Sequence, residues 1–164
     1  MLEEDITIIN IYAPNIGALW YVRQMLTSMK GEINSNTIIV GDFNTPLTPM
    51  AKSTKQNISK ETQTLNDAMD QLDLIDIYRR FHPSKMNFTF FSSAHGTFSR
   101  IDHILGHKSS LGKFKTTEII PSIFSDHNAV RLDVNDRRKP IKTPNIWRLN
   151  NMLLSDQQIP KKFF

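Results

Sequence analysis

Asn36-Thr37-Ile38-Ile39-Val40-Gly41-Asp42-Phe43-Asn44-Thr45-Pro46 is the stretch from which the fold is read. Its short apolar, β-branched run over residues 36–40 predicts a strand buried on both faces, broken at Gly41 so that polar residues emerge at its C-terminal end. Asp42 and Asn44 stand two apart, which puts them on one side of a pleat, where they could share one substrate group. An Asx turn closed by Pro46 uses the same residues without any chemistry, and spacing does not choose between the two.

Upstream, Asp5-Ile6-Thr7-Ile8-Ile9-Asn10-Ile11-Tyr12 alternates as a strand and ends at the breaker Ala13-Pro14-Asn15. From Ala18 to Lys30, Leu19, Val22, Met25, Leu26 and Met29 recur at three and four residues, the stripe of a helix that Gly31 terminates. Downstream, residues 46–59 lack periodicity and read as a loop, and Leu65, Met69 and Leu72 mark a helix over 60–71. Strands are then predicted at 87–92, 100–105, 115–120 and 129–134, with a hairpin loop at Ser93-Ala94-His95-Gly96-Thr97. Helices interleave with strands early and hairpins dominate later, which predicts a layered α/β sandwich.

At 164 residues, with 39% hydrophobic and 22% charged, the chain fits one domain with a fair core. Cysteine is absent, which excludes a disulfide scaffold and any thiolate metal cluster. No basic stretch and apolar run opens the chain, and no apolar run reaches the roughly 20 residues of a membrane helix, so a soluble protein without membrane contact is expected. The net charge of +4 divides unevenly: residues 1–136 carry 13 Lys and Arg against 15 Asp and Glu, residues 137–164 carry 7 against 1. The body is therefore mildly acidic and the basic character sits in the tail, which suits phosphate backbones or a solvated linker alike.

Two further clusters could carry chemistry. Asp102, inside Arg100-Ile101-Asp102-His103-Ile104-Leu105, is an acid in a strand, costly to bury without a partner unless the strand is an edge with Asp102 facing water. Ser125-Asp126-His127-Asn128 places an acid beside an imidazole in a turn, so that Asp126 could face a metal while His127 meets Asp102, or the turn could be surface with an incidental His. His82, His95, His103 and His107 read as incidental.

Tyr12-Ala13-Pro14-Asn15, Gly41-Asp42-Phe43-Asn44, Ser99-Arg100-Ile101-Asp102-His103 and Ser125-Asp126-His127, in that order, resemble the signature blocks of the endonuclease/exonuclease/phosphatase superfamily. Within it the chain looks most like the apurinic-type endonuclease domain of a LINE retrotransposon's second open reading frame. Asp73-Leu74-Ile75-Asp76-Ile77-Tyr78-Arg79, Phe88-Thr89-Phe90-Phe91-Ser92 and Thr117-Glu118-Ile119-Ile120 extend that likeness beyond the site. Trp147-Arg148-Leu149-Asn150-Asn151 resembles the stretch leading toward the reverse transcriptase, which would be a C-terminal partner region of the parent protein.

The resemblance implies a four-layer α/β sandwich of the DNase I-like type, over a partial domain at 1–135 followed by a basic linker or tail at 136–164. It implies Mg²⁺, with Mn²⁺ as a substitute, and hydrolysis of one DNA phosphodiester to leave a 3′-hydroxyl that primes synthesis. Asp42 would orient or deprotonate the attacking water, Asn44 would bond the scissile phosphate, and His127, held by Asp102, would stabilise the pentacoordinate phosphorus. Asp126 and Asp42 would hold the metal. Tyr12 and Asn15 would touch the phosphate, while Lys52, Thr89, Ser99 and Arg100 would contact DNA around the 93–99 hairpin loop. The superfamily's domain is longer, and the half that would carry its main glutamate ligand has no counterpart in these blocks, so impaired activity and an uncovered apolar sheet surface are expected. A non-catalytic DNA-binding remnant and a phosphomonoesterase or phosphoinositide phosphatase of the same superfamily are the competing readings. A DNA substrate implies a nuclear location, for which Arg137, Arg138, Lys139 and Lys142 would be a short import signal.

Overall fold

A computed structural model describes residues 5–53 and 59–135. The tail read over 136–164 lies outside the described residues, as does the middle of the 46–59 loop. The central sheet contains β1 (Thr7–Asn10), β2 (Thr37–Asp42), β3 (Leu74–Asp76) and β6 (Asp102–His107) in the order β1-β2-β6-β3. β1 runs parallel to β2, and the connection between them is helix α1 (Ala18–Ser28), as a parallel pair requires. β6 then runs antiparallel to both β2 and β3.

Helix α1 and helix α2 (Lys60–Gln71) cover one face of this sheet. Val22 and Leu26 of α1 and Leu65 and Met69 of α2 meet Ile39 and Leu105 of the sheet in one apolar cluster. Against the other face lies a second sheet, β7 (Phe114–Ile120) paired with β8 (Ala129–Val134), where Ile38, Ile104 and Phe114 are buried with Val130 and Leu132 packed on them. The described residues thus form three stacked layers: helices, mixed sheet and second sheet. Ile38 and Ile39 point to opposite clusters, which is why residues 36–40 read as one unbroken apolar run.

The second sheet does not reach β1. Ile8 is the register partner of Ile38 and shares its face, yet Ile8 is 68% exposed. A third sheet fragment, the hairpin of β4 (Phe90–Ser92) and β5 (Thr97–Ser99), projects beside the site end of β6.

β3, helix α3 (Ile77–Phe81) and β5, of three, five and three residues, were not legible in the sequence because they are too short to show a period. Other boundaries move. The strand predicted at 87–92 pairs only from Phe90, and those at 36–40 and 100–105 each run two residues further. The loop at 46–59 contains a short 3₁₀ turn, Pro49–Ala51.

Gly41 is where the sheet is least forgiving. Its φ is +138°, and a Cβ there would stand 1.9 Å from the Ile11 carbonyl oxygen. The ladder continues past β1 on both sides of this contact, Ile11 N–H donating to Val40 O at 2.8 Å and Ala13 N–H to Asp42 O at 2.9 Å. Gly41→Ala is therefore expected to lower the unfolding free energy by about 3 kcal/mol or more. A urea titration followed by circular dichroism checks it, and an unchanged midpoint refutes it.

Candidate active site

Asp42 ends β2 and Asp102 begins β6, and the register sets the two directly opposite each other. The turn after Asp42 holds its carboxylate still: Asn44 N–H donates to Asp42 Oδ1 at 2.8 Å. Asn44 has φ +50°, a left-handed conformation that asparagine tolerates, and its Nδ2 donates to the Ala13 carbonyl at 2.9 Å. Both readings of the tetrapeptide thus describe it at once, since the Asx turn is what presents the acid and the amide. Phe43 between them is fully buried, its N–H donating to Ile101 O at 2.8 Å, so the turn is anchored in the core.

His127 enters from the turn before β8. Its Nδ1 lies 3.0 Å from Asp102 Oδ2, and because the carboxylate can only accept, Nδ1 carries the proton and Nε2 faces away. His127 N–H donates to Ser125 Oγ at 3.0 Å, and the Phe90 ring packs 4.8 Å from the imidazole. Asp42, Asp102 and His127 each offer an atom within 4.8 Å of the others, a group able to hold a metal ion. Burial pushes the Asp42 carboxyl above the usual carboxylate range, with the Asp102 charge adding to it and the Asn44 amide opposing. No described glutamate belongs to the group: Glu118, for instance, pairs with Arg131 at 3.1 Å on β7 and β8.

The remaining predicted residues divide. Tyr12 and Asn15 are exposed beyond the end of β1. Asp126 is exposed one residue from His127, and its backbone carbonyl accepts from Phe91 N–H, but its carboxylate is not in the group of three. Lys52 and Ser99 bridge each other, both half-buried, at the foot of the β4–β5 hairpin. Thr89 is buried, so it makes no surface contact with DNA. Its Oγ1 instead accepts from Ile101 N–H and Asp102 N–H, both at 3.2 Å, and so fixes the start of β6.

Arg100 requires a correction too. It is 1% exposed and cannot meet a phosphate, because its Nη2 donates to Asp76 Oδ2 at 2.8 Å inside the fold. His103 is not incidental either: it is equally buried, and its Nε2 donates to the Thr45 carbonyl at 2.9 Å. Its Nδ1 stands 3.1 Å from Arg100 Nη1 and 3.3 Å from Asp76 Oδ2. Without a proton that nitrogen accepts from Arg100; with one it donates to Asp76. Asp76 also caps α3 by accepting from Arg79 N–H at 3.2 Å. The sequence held one signal for this network, an acid and a base each set in an apolar run, Leu74-Ile75-Asp76-Ile77 and Arg100-Ile101, where a buried charge requires a partner.

Residues 6–127 match the Endonuclease/Exonuclease/phosphatase family. An uncharacterized 149 kDa protein of transposon TX1 from Xenopus laevis is 29% identical over 163 residues, a span covering 94% of this chain and 12% of that protein. Among solved structures, an AP endonuclease from Archaeoglobus fulgidus superposes with a TM-score of 0.67 at 16% identity, covering 79% of this chain and 61% of its own. A 3′-5′ exonuclease from Neisseria meningitidis gives 0.63 at 20% identity, covering 78% and 60%. The endonuclease domain of TRAS1, a telomere-specific non-LTR retrotransposon, gives 0.63 at 14% identity, covering 81% and 59%. At such identities the likeness to solved structures is one of fold.

Burial alone would raise the Asp76 carboxyl, but the His103 hydrogen bond and the Arg100 charge outweigh it and hold the group well below its ordinary value of 3.8. A lowered carboxyl stabilises the fold above its unfolded value, so this contribution is full above about pH 4 and is lost as pH falls below it. Asp76→Asn leaves the Arg100 charge buried without its counterion and is expected to cost about 3–5 kcal/mol at neutral pH. Urea unfolding of both proteins should show the gap narrowing as acid protonates Asp76, and a gap independent of pH would refute the assignment.

Proposed function

The chain belongs to the endonuclease/exonuclease/phosphatase family and has its DNase I-like fold; on that premise we propose that it descends from the DNA endonuclease of a retrotransposon and hydrolyses phosphodiester bonds with Mg²⁺. The observation that carries this reading is the convergence of Asp42, Asp102 and His127 within 4.8 Å, with Asn44 fixed beside them. The transposon relative and the retrotransposon endonuclease domain support DNA as the substrate over a soluble phosphate ester.

In this reading Asp42 orients the attacking water or accepts its proton. Asn44 spends one amide proton on Ala13 and keeps the second for a phosphate oxygen. Asp102 fixes the His127 ring by accepting from Nδ1, which leaves Nε2 for the growing negative charge on phosphorus oxygens. A hard divalent cation suits the carboxylates present: Asp42 and Asp102 would hold it, with Asp126 left exposed on the turn beside His127, since Mg²⁺ takes one or two carboxylates and fills its shell with water and phosphate. When bound, it would neutralise charge on the phosphate oxygens. Because the group of three contains no glutamate among the described residues, we propose reduced turnover relative to a site with a further carboxylate.

Nicking of supercoiled plasmid by the full chain in Mg²⁺ tests the proposal. Nicking should vanish with EDTA and fall by roughly 10²–10⁴ in His127→Ala and Asp42→Ala. Salt-sensitive binding without nicking, indifferent to chelator, would leave a DNA-binding remnant instead.

A further inference from the structure

The turn that delivers His127 also carries two apolar side chains that the chemistry does not use. Ile123 is 89% exposed and Phe124 is 94% exposed, adjacent to each other and within four residues of His127. Lone exposed apolar residues are ordinary; here an isoleucine and a phenylalanine stand bare side by side.

The backbone around them is tied down. Ser122 N–H donates to Asn128 Oδ1 at 3.0 Å, Phe124 N–H to Ser122 Oγ at 3.2 Å, and His127 N–H to Ser125 Oγ at 3.0 Å. Asn128 N–H donates to Thr89 O at 2.6 Å, which fastens the loop to the segment entering β4. The loop is thereby held in a shape that turns both side chains outward. Chain length limits the Cα separation from His127 to about 10 Å for Phe124 and about 14 Å for Ile123, a few nucleotides along a strand. The body of the protein, with 13 Lys and Arg against 15 Asp and Glu over residues 1–136, offers little general attraction to a polyanion, so an apolar contact near the site adds affinity that net charge does not supply.

We infer that Ile123 and Phe124 form an apolar wedge that stacks against an unstacked base near the scissile phosphate. This rests on the hydrolase reading above and narrows it. A phosphomonoester or an inositol phosphate has no apolar face to cover two such side chains, whereas every base has one, and isoleucine and phenylalanine serve as wedges between base steps.

The test pairs the full-length chain with Ile123→Ser/Phe124→Ser, which retains a loop-compatible side chain at each position. One arm compares duplex DNA with bis(p-nitrophenyl) phosphate, a diester without a base. Duplex nicking should fall roughly tenfold or more while hydrolysis of the small diester stays within about twofold. Equal losses on both substrates, or no loss on DNA, would overturn the wedge. A second arm needs no turnover: in EDTA, a duplex with 2-aminopurine at successive positions should brighten on binding the parent protein and not on binding the variant. Binding without brightening would also overturn the wedge while leaving the hydrolase reading intact. Failure of the parent protein to cleave either substrate, with brightening preserved, would instead refute catalysis and keep the wedge.

Discussion

Two carboxylates, Asp42 and Asp102, face each other across adjacent antiparallel strands. Like charges placed directly opposite in a sheet repel, and a fold keeps such a pair only where other groups stabilise it. Here the relief comes from outside the sheet. His127 donates to Asp102, and the Asn44 amide donates to Asp42, so each acid has a partner of its own. Burial, together with the repulsion that remains, raises the Asp42 carboxyl above the usual carboxylate range.

Holding that arrangement requires the strand ends to stay in register, and the structure does so with backbone contacts that leave little slack. Gly41 lets β2 pass against the Ile11 carbonyl, Phe43 is buried and bonded to Ile101, and Thr89 bonds the first two amides around Asp102. Behind the site, Asp76, Arg100 and His103 join β3, the approach to β6 and the turn after Asn44, since His103 reaches the Thr45 carbonyl. Ionic networks of this kind add little net stability over an apolar core, but breaking one member is severe. Their contribution here is geometric: the peptide following Asn44 is bonded to the strand that carries Asp102.

Much of the framework could be read along the chain. The apolar run into Gly41-Asp42-Phe43-Asn44 announced a buried strand ending in polar groups, and α2 was legible to the residue from its stripe of Leu65 and Met69. Short-range turn chemistry was legible as well, because an Asx turn needs only Asp42 and the amide two residues on. These features are local, and periodicity and backbone sterics act over a few residues.

Where each charged side chain ends up is another matter. Nothing in Ser99-Arg100-Ile101 distinguishes an arginine that meets DNA from one that meets Asp76, and the structure buries it. His103 and His127 look alike in sequence, each preceded by an aspartate, yet one faces the core and the other faces Asp102. The deciding contacts join residues 25 apart for His127 and Asp102 and 58 apart for His103 and Thr45. By itself the sequence determined which elements form and what chemical groups stand at their ends, since those follow from local propensity. Only the tertiary structure decided which of those groups meet, because burial and ion pairing depend on strands and turns brought together from distant parts of the chain.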